Sequence, residues 1–168
     1  MRRWLLGIAG AIIAGVIVWW LTVGGVVWRF FTASYQCSVG TKRQVDLAPA
    51  KSEWGKPISG SSGKVVYCDD APPPFTGKLD FSALEPDRSY RVTLNGIPGR
   101  PGNDRLEKTR GNERYSDFDQ YQADVKGAGG GEFKWYLRPG RYEVKFFLKD
   151  TDDWKIVLYN DFFAFTIQ

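Results

Sequence analysis

Histidine is absent from the 168 residues, and this absence excludes more chemistry than any other feature of the composition. It removes the commonest general base near neutral pH and the commonest nitrogen ligand for zinc, so Ser-His-Asp, Cys-His and HExxH arrangements are all excluded. Cysteine is scarce: Cys37 and Cys68 are the only two. They are either a disulfide closing a loop of about 30 residues, worth roughly 3 to 4 kcal/mol in the chain-entropy model, or two reduced and buried thiols. An N-x-S/T sequon is also lacking, so glycosylation says nothing about compartment.

The soluble part is nearly neutral. Of 23 basic residues, Arg2, Arg3 and Arg29 flank one apolar run, leaving 20 against 19 acidic residues. A protein held to nucleic acid by phosphate contacts carries a concentrated basic excess. The densest basic group here, Arg100, Arg105, Lys108, Arg110 and Arg114, is interrupted by Asp104, Glu107 and Glu113. No nucleic-acid partner is expected. Gly127 to Gly131 lacks the Lys-Ser/Thr ending of a phosphate-binding loop and precedes a strand pattern, so it reads as a flexible turn. No motif calls for a cofactor or a metal, and no enzyme activity is expected.

What is present begins with the apolar run from Trp4 to Trp28, 25 residues without a charge. As a helix it would extend ~37 Å, enough to cross a ~30 Å hydrocarbon core. Tryptophan at both ends and arginine just beyond suit the two interfaces. The run is too long for a cleaved signal peptide and ends in bulky Trp28, Arg29, Phe30 and Phe31, so residues 1–31 read as an uncleaved transmembrane signal anchor with the bilayer as its partner. Short basic tails before a first helix remain cytoplasmic as a rule, which places the C-terminal domain outside the cytoplasm; Arg29, Lys42 and Arg43 oppose that assignment. Gly7, Ala11 and Gly15 fall on one helix face, a spacing that lets two backbones approach. Self-association through that face stands beside the simple abundance of small residues in membrane helices.

Residues 32–63 have few periodic apolar positions and read as a tether or long loop. From residue 64 onward the period of two dominates. Lys64 to Cys68 and Tyr90 to Leu94 are strand-like, and in Glu132 to Leu137 the inward set is Phe133, Trp135 and Leu137. Tyr142, Val144, Phe146 and Leu148 alternate with Arg141, Glu143, Lys145 and Lys149. Arg138-Pro139-Gly140 between these two runs predicts a hairpin. Trp154, Ile156 and Leu158, then Phe163, Phe165 and Ile167 past a turn at Asn160-Asp161, complete the inward pattern. No later segment has a helical period, so the fold class is an all-β antiparallel sandwich, Ig/prealbumin-like, over residues 64–168.

The stretch containing Gly131, Phe133, Leu137, Pro139, Gly140, Tyr142 and Val144 resembles the hairpin of carboxypeptidase-regulatory-like and Cna-B-like β-sandwich domains. The resemblance spans fourteen residues, 131–144. It implies a seven-stranded sandwich used for structure, adhesion or ligand presentation, without catalysis.

Asn95 to Gly131 is a run of about 30 residues with little regular pattern, and long loops of that kind inside a compact domain tend to be functional. It carries Arg100, Arg105, Arg110, Arg114, Tyr115, Phe118 and Tyr121, types enriched at interface hot spots, and these are the expected binding residues. Asp117 and Asp119 with Tyr115, Phe118 and Tyr121 form either a sugar-binding platform or packing that pins the loop. Asp150, Asp152 and Asp153 lack the spacing of an EF-hand and read as a solvated turn. The functional expectation is a membrane-anchored, non-catalytic binding or assembly module with a protein partner or self-association. The alternatives are a cytoplasm-facing small-ligand sensor whose anchor helices oligomerise, and a carbohydrate-binding or hydrolytic domain.

Overall fold

The computed structural model describes residues 35–168; the anchor run, its flanking arginines and the Gly7, Ala11, Gly15 face lie outside the described residues. Among the described residues nine strands follow one another: β1 Thr41–Pro49, β2 Ser62–Asp69, β3 Phe75–Ser82, β4 Ser89–Gly96, β5 Lys108–Arg110, β6 Glu113–Gln122, β7 Gly129–Trp135, β8 Gly140–Asp150 and β9 Ile156–Ile167. A 3₁₀ turn, Asn103–Arg105, precedes β5. All ladder pairs are antiparallel, in the order β5-β6-β4-β8-β9-β1-β2-β3-β7. None of the helical turns among the described residues is long and apolar enough to cross a membrane.

Alternation explains why these segments are strands. Tyr142, Val144, Phe146 and Leu148 on β8 are fully buried, and Leu158, Phe163, Phe165 and Ile167 on β9 meet them in the interior. From the other end of the ladder, Val65 and Tyr67 of β2, Phe75, Leu79 and Phe81 of β3, and Phe133 and Trp135 of β7 point inward. The two sets face each other. Phe75 stacks on Phe165 with ring centroids 4.0 Å apart, and Tyr67 meets Phe163 edge-on at 4.8 Å. Trp135 stacks on Phe133 at 4.0 Å and on Phe118 at 4.4 Å, and its indole N–H donates to Asp119 at 2.9 Å. Gly77 lies between the inward residues of β3 because a Cβ there would run into the Phe133 ring. The Tyr67 hydroxyl donates to the Ala164 carbonyl, and burial pushes its pKa up to about 12.

Four expectations need correction. The stretch read as a tether contains β1, whose residues Thr41 to Leu47 pair with β2 and whose Ala48 and Pro49 pair with β9, so this one strand links the two halves of the ladder. The hairpin across Arg138-Pro139-Gly140 does not form: β7 pairs with β3, whereas β8 pairs with β4 and β9, and residues 136–139 cross between the halves. Asn160-Asp161 is not a turn but a bulge within one continuous β9, since Val144 pairs with Phe163 while Phe146 pairs with Asn160. The run from Asn95 to Gly131 holds a hairpin of its own, β5 with β6, and β6 pairs along β4.

Cys37 and Cys68 are disulfide-bonded, with Cα atoms 5.6 Å apart, which fixes the chain ahead of β1 to the end of β2. At one end of the sheet, the carboxylate of Asp150, 1% exposed, lies within 4 Å of Lys56 and Arg88, and Arg88 also pairs with Glu85 and Asp152. This cluster ties the connections before β2, β4 and β9 together. The Asp150 and Asp153 carboxylates also accept the backbone N–H groups of Asp152 and Lys155, closing the β8-β9 turn.

Because Trp135 touches both halves of the interior, Trp135→Ala is expected to lower unfolding stability by about 3 to 5 kcal/mol. Urea denaturation followed by circular dichroism measures it. A loss near that of an exposed residue would show that the indole is not a core element.

Candidate functional site

In an antiparallel ladder, residues directly opposite one another emerge on the same face. Asn95 of β4 lies opposite Tyr115 of β6 on one side and Lys145 of β8 on the other. Thr93 is likewise opposite Asp117 and Phe147, and Phe147 is opposite Tyr159 of β9. The face of β6, β4, β8 and β9 that points away from the core therefore carries Tyr115, Asp117, Asn95, Lys145, Phe147, Lys149 and Tyr159. This face is not a plain solvated surface. Phe147 is only 8% exposed because Trp54, from the segment after β1, lies against it at 6.0 Å and meets Tyr159 edge-on at 4.9 Å.

Over this face runs a trough made of two hollows of about 360 and 500 Å³ that share Asn95, Arg110, Lys149 and Trp154. Trp54 and Trp154 stand on its rim, 40% and 54% exposed. Six basic and three acidic side chains line it. Lys108 pairs with Asp117 at 2.7 Å, and Lys145 pairs with Glu113 at 3.3 Å. Arg110 and Lys149 have no carboxylate within 4 Å among the described residues. The Lys149 ammonium lies 5.7 Å from the centre of the Tyr115 ring and 6.0 Å from that of Phe147.

The electrostatics follow from these positions. Burial, followed by the repulsion of Arg110 and Lys108, holds Lys149 below the usual lysine range despite the pull of Asp117. Burial raises the pKa of Asp117, but hydrogen bonds from Lys108 and Thr93 outweigh it and leave the carboxyl below its ordinary value. The Thr93 hydroxyl donates to Asp117 at 2.7 Å. The Lys108 pKa is raised, first by its hydrogen bond to Asp117. Beneath the trough, Oδ1 of Asn95 is buried without a hydrogen-bond partner, as is Nε of Arg91, whose guanidinium lies 5.9 Å from the Trp154 ring.

Of the seven expected binding residues, the fold brings Arg110 and Tyr115 into this trough. Arg105, Arg114 and Phe118 line a separate hollow of about 390 Å³ beside Tyr136, Leu137 and Arg138. Arg100 pairs with Glu143, and Tyr121 packs over Gly131 with its hydroxyl donating to Asp119. The five candidate platform residues divide accordingly: Tyr115 and Asp117 line the trough, while Asp119, Phe118 and Tyr121 serve packing around Trp135. Trp154 does not continue the inward set of β9. It sits in the β8-β9 turn at φ 59° and is exposed. Sequence reasoning missed Trp54, Asn95, Lys145, Phe147 and Lys149. The one available signal was Phe147, an aromatic residue between two lysines at an outward-facing position.

No protein-family model, curated protein or solved structure matches this chain.

A desolvated lysine without a carboxylate partner costs stability, and residues of that kind are retained where function requires them. Lys149→Met keeps the side-chain length and packing on Tyr115 and Phe147 while removing the charge. It is expected to leave the melting temperature unchanged or raise it by a few degrees. A fall of more than about 5 °C in a thermal melt would make Lys149 a structural residue.

Proposed function

We propose that the chain is a single-pass membrane protein whose β domain is a non-catalytic binding or assembly module, held by residues 1–31 at the membrane surface and exposed outside the cytoplasm. We read the nine-stranded ladder as a sandwich of Ig/prealbumin-like type, a scaffold suited to presenting one sheet face. The observation that carries the binding reading is the trough. Two exposed indoles stand at its rim beside Lys149, a half-buried ammonium with no carboxylate within 4 Å among the described residues, and that combination suits a ligand. The domain lacks histidine, which fits a binding role better than catalysis at neutral pH.

The exported topology is supported by the length of the Trp4 to Trp28 run, by the arginines ahead of it and by the disulfide between Cys37 and Cys68. The bilayer is then the first partner, and a protein or polymer at the cell surface is the second. If Gly7, Ala11 and Gly15 bring two anchors together, the trough would be presented in duplicate, which raises avidity without any new contact.

Two measurements test this. In intact cells, an external protease should remove the β domain; full protection would place it in the cytoplasm and favour a sensor. Arg110→Ala with Tyr115→Ala should keep the melting temperature within a few degrees, because neither side chain is in the core, and should remove most of the surface material cross-linked to the wild-type domain. Full retention of that material by the folded double variant would move the binding face elsewhere.

A further inference from the structure

The chemistry of the trough is mixed in a way that narrows its occupant. Arg110 and Lys149 provide positive charge without carboxylate partners. The Lys149 ammonium is near two rings, 5.7 Å from the centre of Tyr115 and 6.0 Å from that of Phe147. The two rim tryptophans are 40% and 54% exposed, and the Arg91 guanidinium lies 5.9 Å from the centre of the Trp154 ring. Beside these groups are hydrogen-bonding acceptors in the lining: Asp117, Glu113 and Asp161.

Each kind of anionic polymer meets this set differently. A nucleic-acid strand brings one phosphate per nucleotide and would meet the six basic side chains of the trough, but also three carboxylates that repel phosphate and have no role in holding it. An acidic peptide has carboxylates for Arg110 and Lys149, but its backbone and acidic side chains present no ring face to the two indoles. A sugar chain bearing carboxylates has all three features. Its pyranose rings present C–H faces to tryptophan, its hydroxyls both donate and accept, and its carboxylate is planar and suits the guanidinium of Arg110 in a bidentate pair. Interleaved lysine and aspartate residues are then an asset, since hydroxyl groups need acceptors as well as donors.

We propose that the trough binds an acidic polysaccharide, with sugar rings stacked on the rim tryptophans Trp54 and Trp154 and a uronate carboxylate held by Arg110 and Lys149. This rests on the trough being the binding face. The carboxylate pairs with two cations that have no carboxylate within 4 Å among the described residues, and hydroxyl groups pair with Asp117 and Glu113.

The test uses the full chain in lipid nanodiscs, titrated with a short oligogalacturonate, its methyl ester, an oligothymidylate and a polyglutamate peptide. Tryptophan fluorescence and calorimetry are the readouts. The oligogalacturonate should bind with a fluorescence change and weaken as salt is raised, and the neutral ester should bind about tenfold or more weakly. Trp154→Ala should lose about tenfold in affinity, and Arg110→Glu should lose at least as much, with the thermal melt of each variant confirming that it is folded. The proposal is overturned if the ester binds as well as the acid, if oligothymidylate or polyglutamate binds more tightly than the sugar, if both variants bind normally, or if no probe binds. Should no probe bind while the Arg110→Ala, Tyr115→Ala variant still loses its cross-linked surface material, the acidic sugar is wrong and the binding face stands.

Discussion

The ring packing between the two ends of the ladder is the constraint on which the rest of the structure depends. Phe75 on Phe165, Tyr67 against Phe163 and Trp135 against Phe146 join strands that never share a hydrogen-bonded ladder. A single open sheet of nine strands would leave one broad apolar face in water. Folding the ladder so that its two halves meet buries that face on itself. The strand that permits this is β1, because it pairs with β2 along most of its length and with β9 at its last two residues.

Once the inward positions are committed, the outward ones are fixed by the period of two, and the trough is a consequence. Lys145, Phe147 and Lys149 lie outward because Val144, Phe146 and Leu148 lie inward. The bulge in β6, between its pairings with Thr93 and Arg91, then separates Tyr115 and Asp117 on the outer face from Phe118 and Tyr121, which pack against the core. A register slip of one residue on β6 would reverse these assignments. The polar face thus takes its precision from the apolar one.

The alternation of β8 was legible because both of its neighbours are strands with the same inward demand, so every second residue is apolar. The segment from 41 to 49 was not, because Val45, Leu47 and the switch residues Ala48 and Pro49 form too short an apolar pattern among Lys42, Arg43, Gln44 and Asp46. Pro139-Gly140 reads locally as a hairpin turn, but the same dipeptide also ends a strand that crosses to the opposite half. Which of the two occurs depends on whether β7 finds β8 or β3 as its partner. Here β3 prevails, with Phe75 opposite Trp135 and Gly77 making room for the ring of Phe133.

The sequence by itself determined that the domain is built of strands, that Tyr142, Val144, Phe146, Leu148, Phe163 and Phe165 form its interior, and that histidine-dependent chemistry is absent. These are properties of composition and of nearest-neighbour alternation, which a chain carries before it folds. Tertiary structure decided which strands pair, that Trp54 from an apparent tether covers Phe147, and that Trp154 is left in solvent beside Arg91. It also decided that Arg110 and Tyr115 would share a trough with Lys149, while Arg100, Arg105 and Arg114 were turned elsewhere. Such groupings join residues 34 to 93 positions apart, and no local pattern specifies them; they follow from ladder register and from the meeting of the two apolar faces.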